Sequence, residues 1–167
     1  MINRNELHER LLPLIIYGNG PEKHNKMIYN TSYTNEDFIR ESDEILGKAY
    51  GFFAKIKMGG IGSSRLIVED ISPDLKPKNL QTIDPNFSNI ELRPKGIIVN
   101  FTNRLDRYAW IVPFYRLVTY SNECFSIHAN GSFIKFAKNK NFQNNKNFFS
   151  KMMELKIDHL DLGYYDS

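Results

Sequence analysis

Cysteine is nearly absent from this chain: Cys124 stands alone among 167 residues. One thiol excludes an internal disulfide framework and any zinc site built on cysteines. It fits a reducing compartment, so the expected location is cytoplasmic. Long apolar runs are missing too. The first, LLPLIIY at 11–17, contains Pro13 and follows Glu6, Glu9 and Arg10, which is unlike a secretory signal. No stretch approaches the ~20 apolar residues of a membrane span. The sequons at 30–32 and 130–132 are then expected to be accidental. Histidine is scarce and scattered. No two of His8, His24, His128 and His159 stand three or four residues apart, so no helical metal pair exists. No metal and no cofactor is expected.

Net charge is also small, at +3. That is a weak electrostatic footprint for a nucleic-acid binder, and the chain has no compact basic cluster with interleaved aromatics. The excess is uneven. Between 135 and 156 there are six lysines and one acid, Glu154. Lys135, Lys138 and Lys140 are the candidates for an anionic lipid surface. The bland alternative is a solvated strand edge and helix face, since lysine blunts exposed strand edges.

Phosphate-binding glycine motifs are incomplete. GGIGSS at 59–64 lacks the Lys-Ser/Thr ending of a Walker loop and the G-x-G-x-x-G spacing. It reads as a linker or helix stop. PDLK at 73–76 and IELR at 90–93 faintly resemble the spaced acids and lysine of metal-dependent nucleases. Their order is wrong, and a hydrolase or nuclease using residues 72–94 stays a minor alternative. Cys124 and His128 are four apart, which strand alternation puts on one outer face without a base–orienter geometry.

The elements that are present read as follows. Residues 1–33 are mixed, with a loop at 18–26. Thr34 can cap a helix, and Phe38, Ile45, Leu46, Ala49, Phe52, Phe53 and Ile56 follow at helical spacings. A strand over 50–58 is the runner-up, because Phe52, Ala54 and Ile56 alternate with Lys55 and Lys57. RLIVEDI at 65–71 and KGIIVNF at 95–101 read as strands. Residues 72–94 hold four of the seven prolines and read as a long irregular connection.

The clearest signal is CFSIHANGSFIKFA at 124–137. Asn130-Gly131 supplies two residues tolerant of positive φ, as a type I′ hairpin turn demands. That turn sets the register: Ala129 opposite Ser132, Ile127 opposite Ile134, Phe125 opposite Phe136. Those positions form the core face, and His128 with Phe133 lies on the other. A helix over roughly 146–160 follows, capped by Asn144 or Asn145, with a stripe at Phe149, Met152, Met153 and Leu160.

YAWIVPFYRLVTY at 108–120 is the most β-like stretch, yet Pro113 sits in its middle. Proline is tolerated at a bend, bulge or edge. Two strands meeting at a corner are expected, near 108–112 and 115–120. Short strands, a hairpin and one C-terminal helix point to a mainly β (α+β) fold with a curved sheet or partly open barrel. WIVPFYRLVTY, the hairpin and the helix NKNFFSKMMELK together resemble bacterial PH-like domains. Val112-Pro113-Phe114 and Leu117 match that family's Ile-Pro-aromatic pattern with a later Ile or Leu. The resemblance covers 60–160, best over 96–158. It implies a barrel plugged by a C-terminal helix and a binding platform for lipids, peptides or proteins. Residues 1–58 would be a helical N-terminal extension.

A non-enzymatic binding module for a protein or peptide is therefore the expected function. Arg104, Arg107, Trp110, Tyr115 and Arg116 are the candidate binding residues, because arginine and aromatics are enriched at interface hot spots. An open strand edge beside the proline bend would take an added strand from the partner. The structural alternative places Trp110 in the core.

Overall fold

The computed structural model describes residues 28–76, 86–103 and 105–165. Among these residues eight antiparallel strands form one sheet: β1 (Ile28–Asn30), β2 (Leu66–Ile71), β3 (Asn86–Arg93), β4 (Gly96–Asn103), β5 (Asp106–Pro113), β6 (Val118–Ser121), β7 (Phe125–Ala129) and β8 (Ser132–Phe136). Their order is β1-β5-β4-β3-β2-β8-β7-β6, and the sheet is not closed. Two meanders, β2 to β5 and β6 to β8, are joined where β2 pairs with β8. Among the described residues four α-helices accompany the sheet: α1 (Glu36–Leu46), α2 (Phe52–Lys57), α3 (Lys140–Asn144) and α4 (Lys146–Tyr165).

The β7–β8 hairpin has the expected register. Ala129 faces Ser132, Ile127 faces Ile134, and Phe125 faces Phe136. Asn130 and Gly131 hold φ of 53° and 83°, the conformation that the two-residue turn needs. Phe125, Ile127, Ala129, Ile134 and Phe136 are all buried. α3 and α4 close this side of the sheet. Phe125, Phe142 and Phe149 meet with ring centroids 4.4–5.3 Å apart. Asn145, buried between the two helices, accepts from Ser64 N at 2.8 Å and donates to Asn141 O at 2.8 Å. Of the expected stripe, Phe149 and Met152 are buried, whereas Leu160 is exposed.

Pro113 ends β5, opposite Gly96. A 3-10 turn over Phe114–Arg116 follows, and β6 starts at Val118. The two expected strands thus exist, and the proline stands where the chain leaves the ladder. Why the run before it is continuously apolar is also plain: β5 is buried on both faces. Trp110 and Val112 enter the main core. Ala109 and Ile111 face the other way and form a second cluster with Tyr29, Leu46 and Ile98, against which Phe38 and Ile45 of α1 pack. Arg93, buried under α1, pairs with Asp43 and, at 3.3 Å, with Glu91.

Several expectations need correction. Asn35 caps α1, accepting from Phe38 N at 3.0 Å, one residue after Thr34. The helical pattern over 34–58 is two helices, because Gly47 stands between them with φ of 78°. The residues of α2 are not buried. The irregular segment 72–94 contains β3, whose Ser88, Ile90 and Leu92 alternate inward while Pro94 closes the turn to β4. Its part at 77–85 lies outside the described residues, as do the readings of 1–27. Within 1–58, the short strand β1 pairs with β5.

Candidate functional site

The five candidate binding residues do not form one surface. Arg104 lies outside the described residues. Trp110 is 1% exposed and sits in the main core. Its burial replaces the interface role with a packing role, and truncating it would empty the core rather than touch a partner. Arg107 is second in β5, whereas Tyr115 and Arg116 follow its end. An extended strand rises ~3.3 Å per residue, so roughly 20 Å separates them. The expected open edge is not on β5 either, because β1 and β4 pair with it on both sides at Tyr108–Trp110.

The open edge is on the far side of the proline corner. β6 is the last strand in the sheet order, hydrogen-bonded to β7 alone among the described residues. Val118 and Tyr120 are exposed, as is Tyr115 at the corner. The Arg116 guanidinium stands over the Tyr115 ring at 5.1 Å. α4 runs beside this edge. Thr119 Oγ1 lies 3.8 Å from Met153 Sδ, Lys156 Nζ donates to Leu117 O at 2.7 Å, and the rings of Phe114 and His159 are 5.9 Å apart. On a helix of 3.6 residues per turn, Met153, Lys156, Ile157 and Leu160 share one face. That face meets β6, and its Ile157 and Leu160 are exposed. A groove therefore has on one wall a backbone edge with no partner among the described residues, and on the other apolar side chains.

On the outer side of the same hairpin sheet, Tyr120 packs against His128 with ring centroids 5.0 Å apart, and His128 against Phe133 at 5.5 Å. His128 Nε2 is 3.0 Å from Ser126 Oγ. Burial, and then the Lys135 charge, lowers the imidazole pKa below its usual value. A neutral ring thus supports Tyr120.

Arg107 belongs to a separate trough of about 540 Å³ across β3 to β5, with Arg65 beside it. Thr102 stands opposite Arg107, and Asn89 opposite Asn100. At the other end Arg65 lies over Phe87 at 4.7 Å. Arg65 and Arg107 make the trough cationic, and among the described residues no carboxylate lines it.

The lysines proposed for lipid are partly engaged. Lys135 pairs with Asp70 at 3.3 Å, and Lys138 donates to Asn122 O. Lys140 is exposed at the start of α3. Among the residues of the nuclease alternative, Asp74 accepts from Ser132 and Glu91 pairs with Arg93. Burial raises the Asp74 carboxyl, but hydrogen bonds from Ser132, Ser72 and the backbone outweigh it and hold the pKa below the usual value. Among the described residues no group of three or more His, Cys, Asp or Glu is placed to hold a metal. No helix among them is long and apolar enough to cross a membrane.

Val118, Tyr120, Ile157 and Leu160 were not singled out from sequence as site residues. The available signal was the corner itself: a strand that follows a proline bend and precedes a tight hairpin is placed to be last in its sheet. No family model matches the chain, and no curated protein or solved structure matches it.

Proposed function

We propose that this protein is a non-enzymatic binding module of PH-like build that captures an extended peptide segment of a partner protein as an added strand on β6. The carrying observation is the outer edge of β6, unpaired among the described residues, beside the exposed Ile157 and Leu160 of α4. An added strand gains main-chain hydrogen bonds from that edge, and alternate side chains of the peptide reach the helix. Apolar or aromatic side chains at alternate peptide positions are the complement of Ile157 and Leu160. Tyr115 and Arg116 flank the entry at the corner. The Pro113 corner, the Asn130-Gly131 hairpin and the C-terminal helix packed on the sheet support the PH-like reading. The lone unbridged Cys124 supports a cytoplasmic setting.

The test starts from peptides selected against the immobilised full chain from a random library. Their affinity is then measured on the wild type and on a Val118→Lys/Tyr120→Lys variant. Lysines blunt a strand edge, and neither position is buried, so the variant should fold. A loss of about tenfold or more, equal to ~1.4 kcal/mol, is expected. Equal binding to the variant, or no selectable peptide, contradicts the reading.

A further inference from the structure

α2 presents two phenylalanines and an isoleucine to solvent. Phe52, Phe53 and Ile56 are 72%, 85% and 62% exposed, and α2 buries none of its residues. Yet the segment is held at its base. Tyr50, Met58 and Ile61 on either side pack against the main core. Lys151 of α4 donates to Met58 O and, at 2.9 Å, to Gly60 O. The core and α4 thus hold the two ends of a short helix whose apolar side chains point outward.

Their arrangement on the helix identifies the partner. At about 100° per residue, Phe52, Phe53 and Ile56 fall within one arc of about 100°. Lys55 and Lys57 fall just outside it, one on each side. Half-buried Ala54 occupies the back. From Ile45 to Val68 the chain carries Lys48, Lys55, Lys57 and Arg65 and no acid. The nearest acid in sequence before it is exposed Glu44 of α1; Asp43, one residue earlier, is tied to Arg93. An apolar arc flanked by lysines is the pattern of a helix that lies in a membrane interface, with its rings among acyl chains and its ammonium groups at the headgroups. A protein groove could take the apolar arc, but it would have to match lysines on both flanks with acids. An anionic bilayer surface supplies that match at every orientation about the membrane normal.

We infer that α2 is a docking tip for an anionic lipid surface, with Phe52, Phe53 and Ile56 entering the interface and Lys48, Lys55 and Lys57 meeting the headgroups. This surface is distinct from Lys135, Lys138 and Lys140, and from the β6–α4 groove.

Co-sedimentation of the full chain with vesicles tests it, using phosphatidylcholine alone or mixed with phosphatidylserine. Binding to the mixed vesicles only, weakening as salt rises, is expected. Phe52→Ser/Phe53→Ser should lower partitioning by about tenfold or more. Lys55→Gln and Lys57→Gln should each lower it by about fivefold. All these variants should keep the wild-type melting temperature, since α2 buries nothing. Depth is read separately in Phe53→Trp. Lipids brominated in the acyl chain should quench the new indole but not Trp110, which is enclosed in the core. Absence of wild-type binding to the mixed vesicles, binding that survives Phe52→Ser/Phe53→Ser, or no quenching overturns the inference. So does a dimer in vesicle-free solution that the double variant abolishes, because the tip would then be a contact between copies.

Discussion

His128 shows how one residue ties the groove to solution conditions. Its ring lies between Tyr120 and Phe133, beside Ser126. Burial first, and the charge of Lys135 second, disfavour its protonated form. The folded pKa is therefore below the unfolded value of about 6.5. Between those two values the unfolded chain binds more protons, so stability rises with pH there. The contribution is complete above about 6.5 and is lost as pH falls through the folded value. The melting temperature should hold steady above neutrality and decline as the solution is acidified below about 6.5. In His128→Gln that first decline should flatten, leaving only the later losses in the carboxylate range. Asp74 belongs to those later losses, because its pKa is lowered too. Identical melting profiles for the two proteins would assign the decline to other groups.

Among the elements, the β3–β4 turn carries more than its two-residue length suggests. Pro94 and Lys95 join Arg93 to Gly96. Lys95 N donates to Leu46 O at the end of α1, and Lys95 O accepts from Phe114 N at the corner, both at 2.9 Å. One turn thus links the outer helix, the central strands and the bend that starts β6. Gly96 permits this convergence. A Cβ there would fall against Val112 O, 2.6 Å from Leu46 Cδ2 and 2.7 Å from Pro113 Cα. The β5 backbone cannot give way cheaply, so Gly96→Ala should cost about 3 kcal/mol in denaturant unfolding. Gly51→Ala, whose Cβ would meet nothing within 4 Å, should stay within about 0.5 kcal/mol. A Gly96→Ala protein as stable as the wild type would mean that the corner is looser than these contacts describe.

For the whole molecule, what the sequence disclosed follows from the range of the forces involved. The β7–β8 hairpin was legible because its register is set within 12 residues by Asn130-Gly131 and alternation. The corner was legible because proline has one fixed φ and no donor. β3 was missed because Pro85 and Pro94 flank its alternating residues and give them the look of a loop. The spacings of α1 and α2 look like one face because spacing alone does not say which apolar residues find a partner. Leu46 does, and Phe52, Phe53 and Ile56 do not. The candidate site was the least legible part. Arg107, Trp110 and Tyr115 are neighbours in sequence, but strand geometry sends them to a trough, the core and the corner. The groove joins β6 to α4 across more than 30 residues of chain, a relation that only sheet order reveals.

Amide hydrogen exchange of the full chain, with and without a selected peptide, tests the central claim most directly. In the free protein the outward-facing amides of Val118–Ser121 lack a partner among the described residues and should exchange fast. In the complex those amides should gain protection, with no new protection at Arg65, Phe87 or Arg107 in the trough. A bound peptide that leaves the β6 amides fast, or that protects the trough instead, would contradict strand addition at this edge.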